Sequence, residues 1–378
     1  MTEKIIEVIK NIYEINLGVR PDEGVIVFTD RIGSLEQIDR GERERRERLR
    51  DIARLVSEIG KTFVKDLRYI EYPSTGGHGI EPPPVLWETA YPEKAVKAIK
   101  KERLFTSLLE KRVNEKGLNR IEEIVRRYSK GAVDVVIALS NYSTSHTRFR
   151  DMLTRLCGTR YASMPLFDVT MFEGPMDVDW KEMEKRTRSL TMVINKAVSI
   201  RITTPNGTDI VFSKMGRRAL ADTGNLKKAG SFGNLPSGEV FLAPVEGTAK
   251  GRLVIQWAPM RQLRSPIRLD VRDGCVVGID GDEEYVEVLR HRLQERKENS
   301  NIAELGIGTN DMAKRPDNIL ESEKILGTIH IALGDNSSFG GKVRTPFHQD
   351  FVFFKPTVTL FYRGGEKKIV MRDGRLLS

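Results

Sequence analysis

The sequence predicts an α/β protein: an N-terminal α/β domain with a largely parallel sheet over residues 1–197, and a C-terminal β-rich α+β domain over residues 198–378. Two textures predict it. In the first half, short wholly apolar runs alternate with amphipathic segments, the pattern of strands covered on both faces and joined by helices. In the second half, hairpin turn signals follow one another closely. Taking the elements in order, Ile5–Ile15 reads as an amphipathic helix, and Val25-Ile-Val-Phe28, bounded by Gly24 and Asp30, as an interior strand. Leu49, Ile52, Val56 and Ile59 recur at helical spacing up to Gly60, Pro92 opens a further helix, and 118–129 forms another. Val133–Leu139 is a buried strand followed by the polar loop Ser140–Thr147 and a helix from Arg148, a strand–loop–helix crossover. A helix over 180–197 joins the halves. Beyond it, 200–204 and 209–212 flank Asn206-Gly207, while Asp273-Gly274, Gly364-Gly365 and Asp373-Gly374 supply further turns and 283–297 a single long helix.

Composition narrows the function classes. Of 378 residues, 39% are hydrophobic and 30% charged, and no apolar run reaches the ~18 residues a membrane helix needs, which argues against a membrane or disordered protein. Two cysteines exclude a disulfide framework, a zinc finger and an iron–sulfur cluster. The N-terminus lacks the apolar block of a signal peptide, so the expectation is a cytoplasmic protein with no membrane partner. The net charge of +9 is compatible with an acidic partner, but acids and bases interleave, as over 39–50, where Glu42–Arg46 and Glu44–Arg48 are spaced for pairing on a solvated helix face. No specific nucleic-acid partner is therefore expected. Abundant Lys, Arg and Glu is also the habit of heat-adapted proteins.

Familiar catalytic motifs fail. The segment Gly334–Val343 departs from a P-loop at Asn336 and Val343, Gly306-Ile-Gly308 lacks a third glycine, and neither a Gly-x-Ser-x-Gly elbow nor a His-Glu-x-x-His helix occurs. The five histidines say more. His78 and His291 read as surface or loop residues. His146 lies in a loop following a predicted parallel strand, where α/β sheets place ligands, and is a candidate for substrate binding. His348 and Asp350, two apart at the head of Phe351-Val-Phe-Phe354, project from one face if extended. His330 stands alone between Ile329 and Ile331, either a satisfied core histidine or a ligand. Glu239 and Glu304 are isolated among small and apolar residues; each is a rim residue or a carboxylate that must be paired or metal-bound. Two histidines and three acids are about what a two-metal hydrolytic centre requires, since the carboxylates offset most of the charge of two ions.

The runs Asn234-Leu-Pro-Ser-Gly-Glu-Val-Phe, Glu304-Leu-Gly-Ile-Gly, His330-Ile-Ala-Leu-Gly and His348-Gln-Asp, in that order, resemble the motifs of the aminopeptidase T (M29) metallopeptidases. The resemblance implies a homodimeric metallo-aminopeptidase that takes a peptide with a free N-terminus. It implies two divalent ions, zinc, cobalt or manganese, held by Glu239, Glu304, His330, His348 and Asp350. Glu239 is the expected bridge, and Glu246 the candidate general base. One position departs: active members carry a tyrosine seven residues after the strand histidine, where this chain has Ser337. The scaffold also resembles that of dihydroxypyridine ring-cleaving dioxygenases, which would hold one ferrous ion through His330, His348 and Asp350. A non-catalytic basic binding module is the third reading.

Overall fold

The computed structural model describes residues 2–33, 36–259 and 261–377. The chain forms two compact units, Met1–Asp177 with Gly224–Pro236 and Val178–Thr223 with Ser237–Ser378. In the first, β1 (Gly24–Arg31), β2 (Asp66–Pro73), β3 (Val135–Ala138) and β4 (Arg160–Ser163) are parallel. β1 is buried from Val25 to Asp30, so both faces are covered and its sequence runs apolar instead of alternating. β2 is mostly half-buried at the sheet edge, which is why Asp-Leu-Arg-Tyr-Ile-Glu-Tyr-Pro carries little strand signal. The chain then supplies β5 (Ser199–Thr203), β6 (Asp209–Ser213) and β7 (Leu220–Asp222) to the second unit before β8 (Phe232–Asn234) completes the parallel sheet in the order β2-β1-β3-β4-β8.

A domain border at 197/198 therefore needs correction. The helix Trp180–Asn195 buries Leu190 and Ile194 in the core of the second unit, while Phe232–Asn234 pairs with β4 in the first. The charged helix also differs in detail. It runs from Arg40 to Gly60, with the Asp39 carboxylate accepting from the Glu42 N–H at its start. Glu42 pairs with Arg45 and Glu44 with Arg40, while Arg46 turns inward. Arg46 lies three and seven residues before Leu49 and Ala53 on the buried stripe, so it was never on the solvated face.

In the second unit, β9 (Glu239–Leu242), β10 (Lys250–Ala258), β11 (Arg261–Arg272), β12 (Cys275–Asp280), β13 (Ile302–Gly308), β14 (Thr328–Gly334), β15 (His348–Phe354), β16 (Thr357–Phe361), β17 (Lys367–Arg372) and β18 (Arg375–Leu376) follow. They make two antiparallel sheets, β12-β11-β10-β6-β5-β16-β17-β18 and β15-β14-β13-β9-β7. Asp273-Gly274 and Asp373-Gly374 are successive left-handed pairs, the geometry that a tight hairpin turn between twisted strands demands. Ile200, Ile202, Phe212, Leu253 and Ile267 of the larger sheet share one apolar core with Val240, Leu242, Leu305, Ile307, Ile329 and Ile331 of the smaller. Among the described residues no helix is long and apolar enough to cross a membrane.

Candidate metal centre

The smaller sheet brings the five expected donors together by register. Gly308 opposes Glu239, Gly306 opposes His330, Ala332 opposes both Glu304 and Asp350, and Gly334 opposes His348. Opposed residues share a face and alternate residues return to it. One face is thus Glu239, Glu304, His330, His348 and Asp350 interspersed with Gly306, Gly308, Ala332 and Gly334, while Leu305, Ile307, Ile329, Ile331, Phe351 and Phe353 fill the core on the other. The small residues make room: a Cβ on Gly306 would lie 1.8 Å from Cε1 and 2.0 Å from Nε2 of the His330 ring.

Two donor groups result, Glu239–Glu304–His330 and Glu304–His348–Asp350, each with its ligating atoms within 4.8 Å of one another. His330 Nε2 stands 3.4 Å from Glu239 Oε2 and 3.5 Å from Glu304 Oε1; His348 Nε2 stands 3.5 Å from both Glu304 Oε2 and Asp350 Oδ2. These separations exceed the usual N–H···O range of about 2.7–3.2 Å. They suit atoms bound about 2.0–2.2 Å from a common ion, which stand roughly 3–3.5 Å apart. Glu239 Oε2 and His330 Nδ1 are buried without a hydrogen-bond partner, and an unsatisfied carboxylate oxygen facing an imidazole is what a cation would relieve. The donor set fits a divalent ion. Glu304, not the expected Glu239, is common to both groups: from β13 its Oε1 faces His330 and its Oε2 faces His348.

The charges of the site are tightly linked. Burial would lower the His330 imidazole, but its contact with Glu304 and the charges of Glu239, Glu323 and Asp350 push it up to about 9. His348 is likewise driven up to about 10, desolvation being outweighed by Asp350 and Glu304. Burial raises Glu304, whereas for Asp350 the positive His348 wins over burial and holds the carboxyl well below its usual range. An incoming ion therefore displaces protons from the imidazoles.

The remaining expectations fare differently. Glu246 accepts from Asn336 Nδ2 at 3.1 Å and the Lys342 N–H at 2.7 Å and pairs with Arg217. Burial raises its carboxyl, but these donors outweigh it and keep the group below its ordinary value, so Glu246 fastens a loop and is a poor base. His146 is exposed in the loop after β3 of the first unit, which contributes none of the five donors. The Ser337 hydroxyl donates to the Asp335 carboxylate at 3.1 Å. Two residues went unrecognised in the sequence: Glu323, and Lys324, whose Nζ lies 2.6 Å from Glu239 Oε1 and 3.1 Å from Glu323 Oε2.

Comparison with known proteins reassigns the chemistry. The family described as NicX, 2,5-dihydroxypyridine 5,6-dioxygenase, matches residues 176–378, more than half the chain and all of the second unit. The 2,5-dihydroxypyridine 5,6-dioxygenase of Pseudomonas putida is 25% identical over 183 residues, 44% of this chain, and the match spans about half, 52%, of that relative's length. The solved structure of 2,5-dihydroxypyridine dioxygenase from P. putida KT2440 superposes with a TM-score of 0.68 at 16% identity, covering 100% of this chain and 99% of that one. Wild-type AmpT from Thermus thermophilus superposes with a TM-score of 0.58 at 15% identity, covering 99% of each chain. At such identities the two structures speak for the fold alone, so the M29 likeness holds for architecture. The expected metallo-aminopeptidase, a peptide hydrolase, is overturned by the family match. The chain belongs to the 2,5-dihydroxypyridine 5,6-dioxygenase family.

Proposed function

We propose that this protein is a ring-cleaving dioxygenase for a dihydroxylated nitrogen heteroaromatic such as 2,5-dihydroxypyridine, with one ferrous ion as its metal. The observation that carries the proposal is the group Glu304 on β13 with His348 and Asp350 on β15, with His330 of the intervening β14 against Glu304, in a chain of this family. A ferrous ion held there supplies the redox activity that couples dioxygen to an electron-rich ring. The chain's residues hold and orient: Asp350 is kept ionised by His348, and His348 presents Nε2 because its Nδ1 is engaged by the Asp335 carbonyl at 2.8 Å. His348 Nε2 is the atom that gives up a proton when the site is filled, while His330 Nε2 lies against Glu304 Oε1 at 3.5 Å. Both oxygen atoms of one O2 end in the ring-opened acid, so no external reductant is required.

The test is anaerobic loading with Fe(II), then 2,5-dihydroxypyridine with isotopically labelled O2. The expected result is loss of the aromatic absorbance, one O2 consumed per ring and both labelled atoms in the product. Iron-loaded protein that leaves this ring and its dihydroxylated isomers intact would sink the proposal.

A further inference from the structure

Lys324 follows the short helix Ile319–Ser322, and its side chain is 0% exposed. Its place is built on several contacts. Its carbonyl accepts from the Asn310 N–H at 2.9 Å, and its N–H donates to the Glu321 carbonyl at 2.9 Å. The Glu321 carboxylate takes the N–H groups of Lys314 and Arg315 at 2.7 and 3.0 Å. The segment is pressed against β13 at Gly308, where a Cβ would fall 2.1 Å from the Ile325 carbonyl oxygen, and Gly308 is the residue directly opposite Glu239. The ammonium is thereby delivered to Glu239 Oε1 at 2.6 Å and Glu323 Oε2 at 3.1 Å.

We propose that Lys324 is a fixed internal cation bound to Glu239 Oε1, beside the group Glu239, Glu304 and His330 that a second metal would need, so that Glu239 is neutralised by lysine and the site takes a single ion at Glu304, His348 and Asp350. A buried ammonium is costly unless paired, and here it has two carboxylates. A divalent ion on Glu239 Oε2 would share that carboxylate with a positive charge in a poorly screened interior, where repulsion is strong. At Asp350, across the sheet on β15, the same ammonium is felt only after the charges of His348 and His330. The inference deepens the one-ion reading above but rests on it only for the metal count, not for ring cleavage.

The probe is Mn(II) alone, with stoichiometry read by calorimetry and the state of the ions by electron paramagnetic resonance. Wild type is expected to bind one Mn(II) with an uncoupled hyperfine pattern. Lys324→Met should admit a second Mn(II) and give an exchange-coupled spectrum, and Lys324→Met/Glu239→Gln should return to one. Wild type binding two ions, or folded Lys324→Met still binding one at saturation, overturns the proposal. If Lys324→Met does not fold, Glu239→Gln alone decides: Mn(II) affinity within about threefold of wild type supports the lysine's role, and a loss of about tenfold or more shows Glu239 to be a ligand and overturns it. One ion with no ring cleavage leaves Lys324 standing and removes the dioxygenase reading; ring cleavage with two ions does the reverse.

Discussion

The Nδ1–H of His348 donates to the backbone carbonyl of Asp335 across 2.8 Å, because a carbonyl can only accept. That bond fixes the tautomer and leaves Nε2 facing Glu304 and Asp350. The carbonyl is itself held in place through the Asp335 side chain, which accepts from the Thr345 N–H at 3.0 Å and the Ser337 N–H at 3.1 Å. Asp335→Ala removes no donor yet frees the loop that aims His348. Its metal affinity should fall by about 10–100-fold, the usual cost of losing an orienting partner, and His348→Ala should lose more. Fe(II) or Mn(II) titration checks this; Asp335→Ala with wild-type affinity would show that the loop does not aim the ring.

Gly306 is where the sheet gives way to its own site. A methyl group there would lie within 2.0 Å of the His330 ring, which is buried and has nowhere to retreat. Gly306→Ala should destabilise the chain by about 1–3 kcal/mol and weaken metal binding by displacing the ring that lies against Glu304. Gly364→Ala is the control, since nothing lies within 4 Å of its added carbon. Urea unfolding and metal titration of the pair read the difference, and equal stability would show that the ring moves at no cost.

Much of the site was legible because a strand's period of two is simple. His330 between isoleucines and His348 two before Asp350 need only be extended to share a face, and register did the rest. Lys324 was not legible. Within Ile319-Leu-Glu-Ser-Glu-Lys-Ile-Leu it reads as an ordinary charged residue, and the backbone bonds to Asn310 and Glu321 and the close approach to Gly308 that fix its segment are invisible there. The surplus of buried acids seemed to ask for a second metal because their lysine partner lies 85 residues from Glu239. The chemistry was misread for a related reason: the motifs describe a donor-bearing sheet, which one scaffold can put to hydrolytic or oxidative use. Fold class came through in both halves, whereas β2, the four-residue β4 and β8 of the parallel sheet were missed. β2 is a half-buried edge strand, and β8 has only three residues and joins its sheet after an excursion into the other unit.

Away from the metal centre, Glu36 and Arg46 make the clearest acid-sensitive contact. Arg46 is only 2% exposed and its guanidinium is paired with the Glu36 carboxylate, which also accepts from the Gly33 N–H at 2.8 Å. The Arg46 contact outweighs burial and holds Glu36 down to about 2, against an ordinary value of 4.5. With the folded-state value depressed, the unfolded chain binds the extra proton first, so stability rises with pH across this window. The contribution is fully present above about pH 4.5 and is lost as pH falls towards 2. The shift corresponds to about 2–3 kcal/mol at neutral pH. Glu36→Gln should therefore be less stable than wild type by about that amount at pH 7, with more than half of the gap gone by about pH 3. Urea unfolding at both pH values measures it, and a gap independent of pH would show that the carboxylate's charge is not what Arg46 requires.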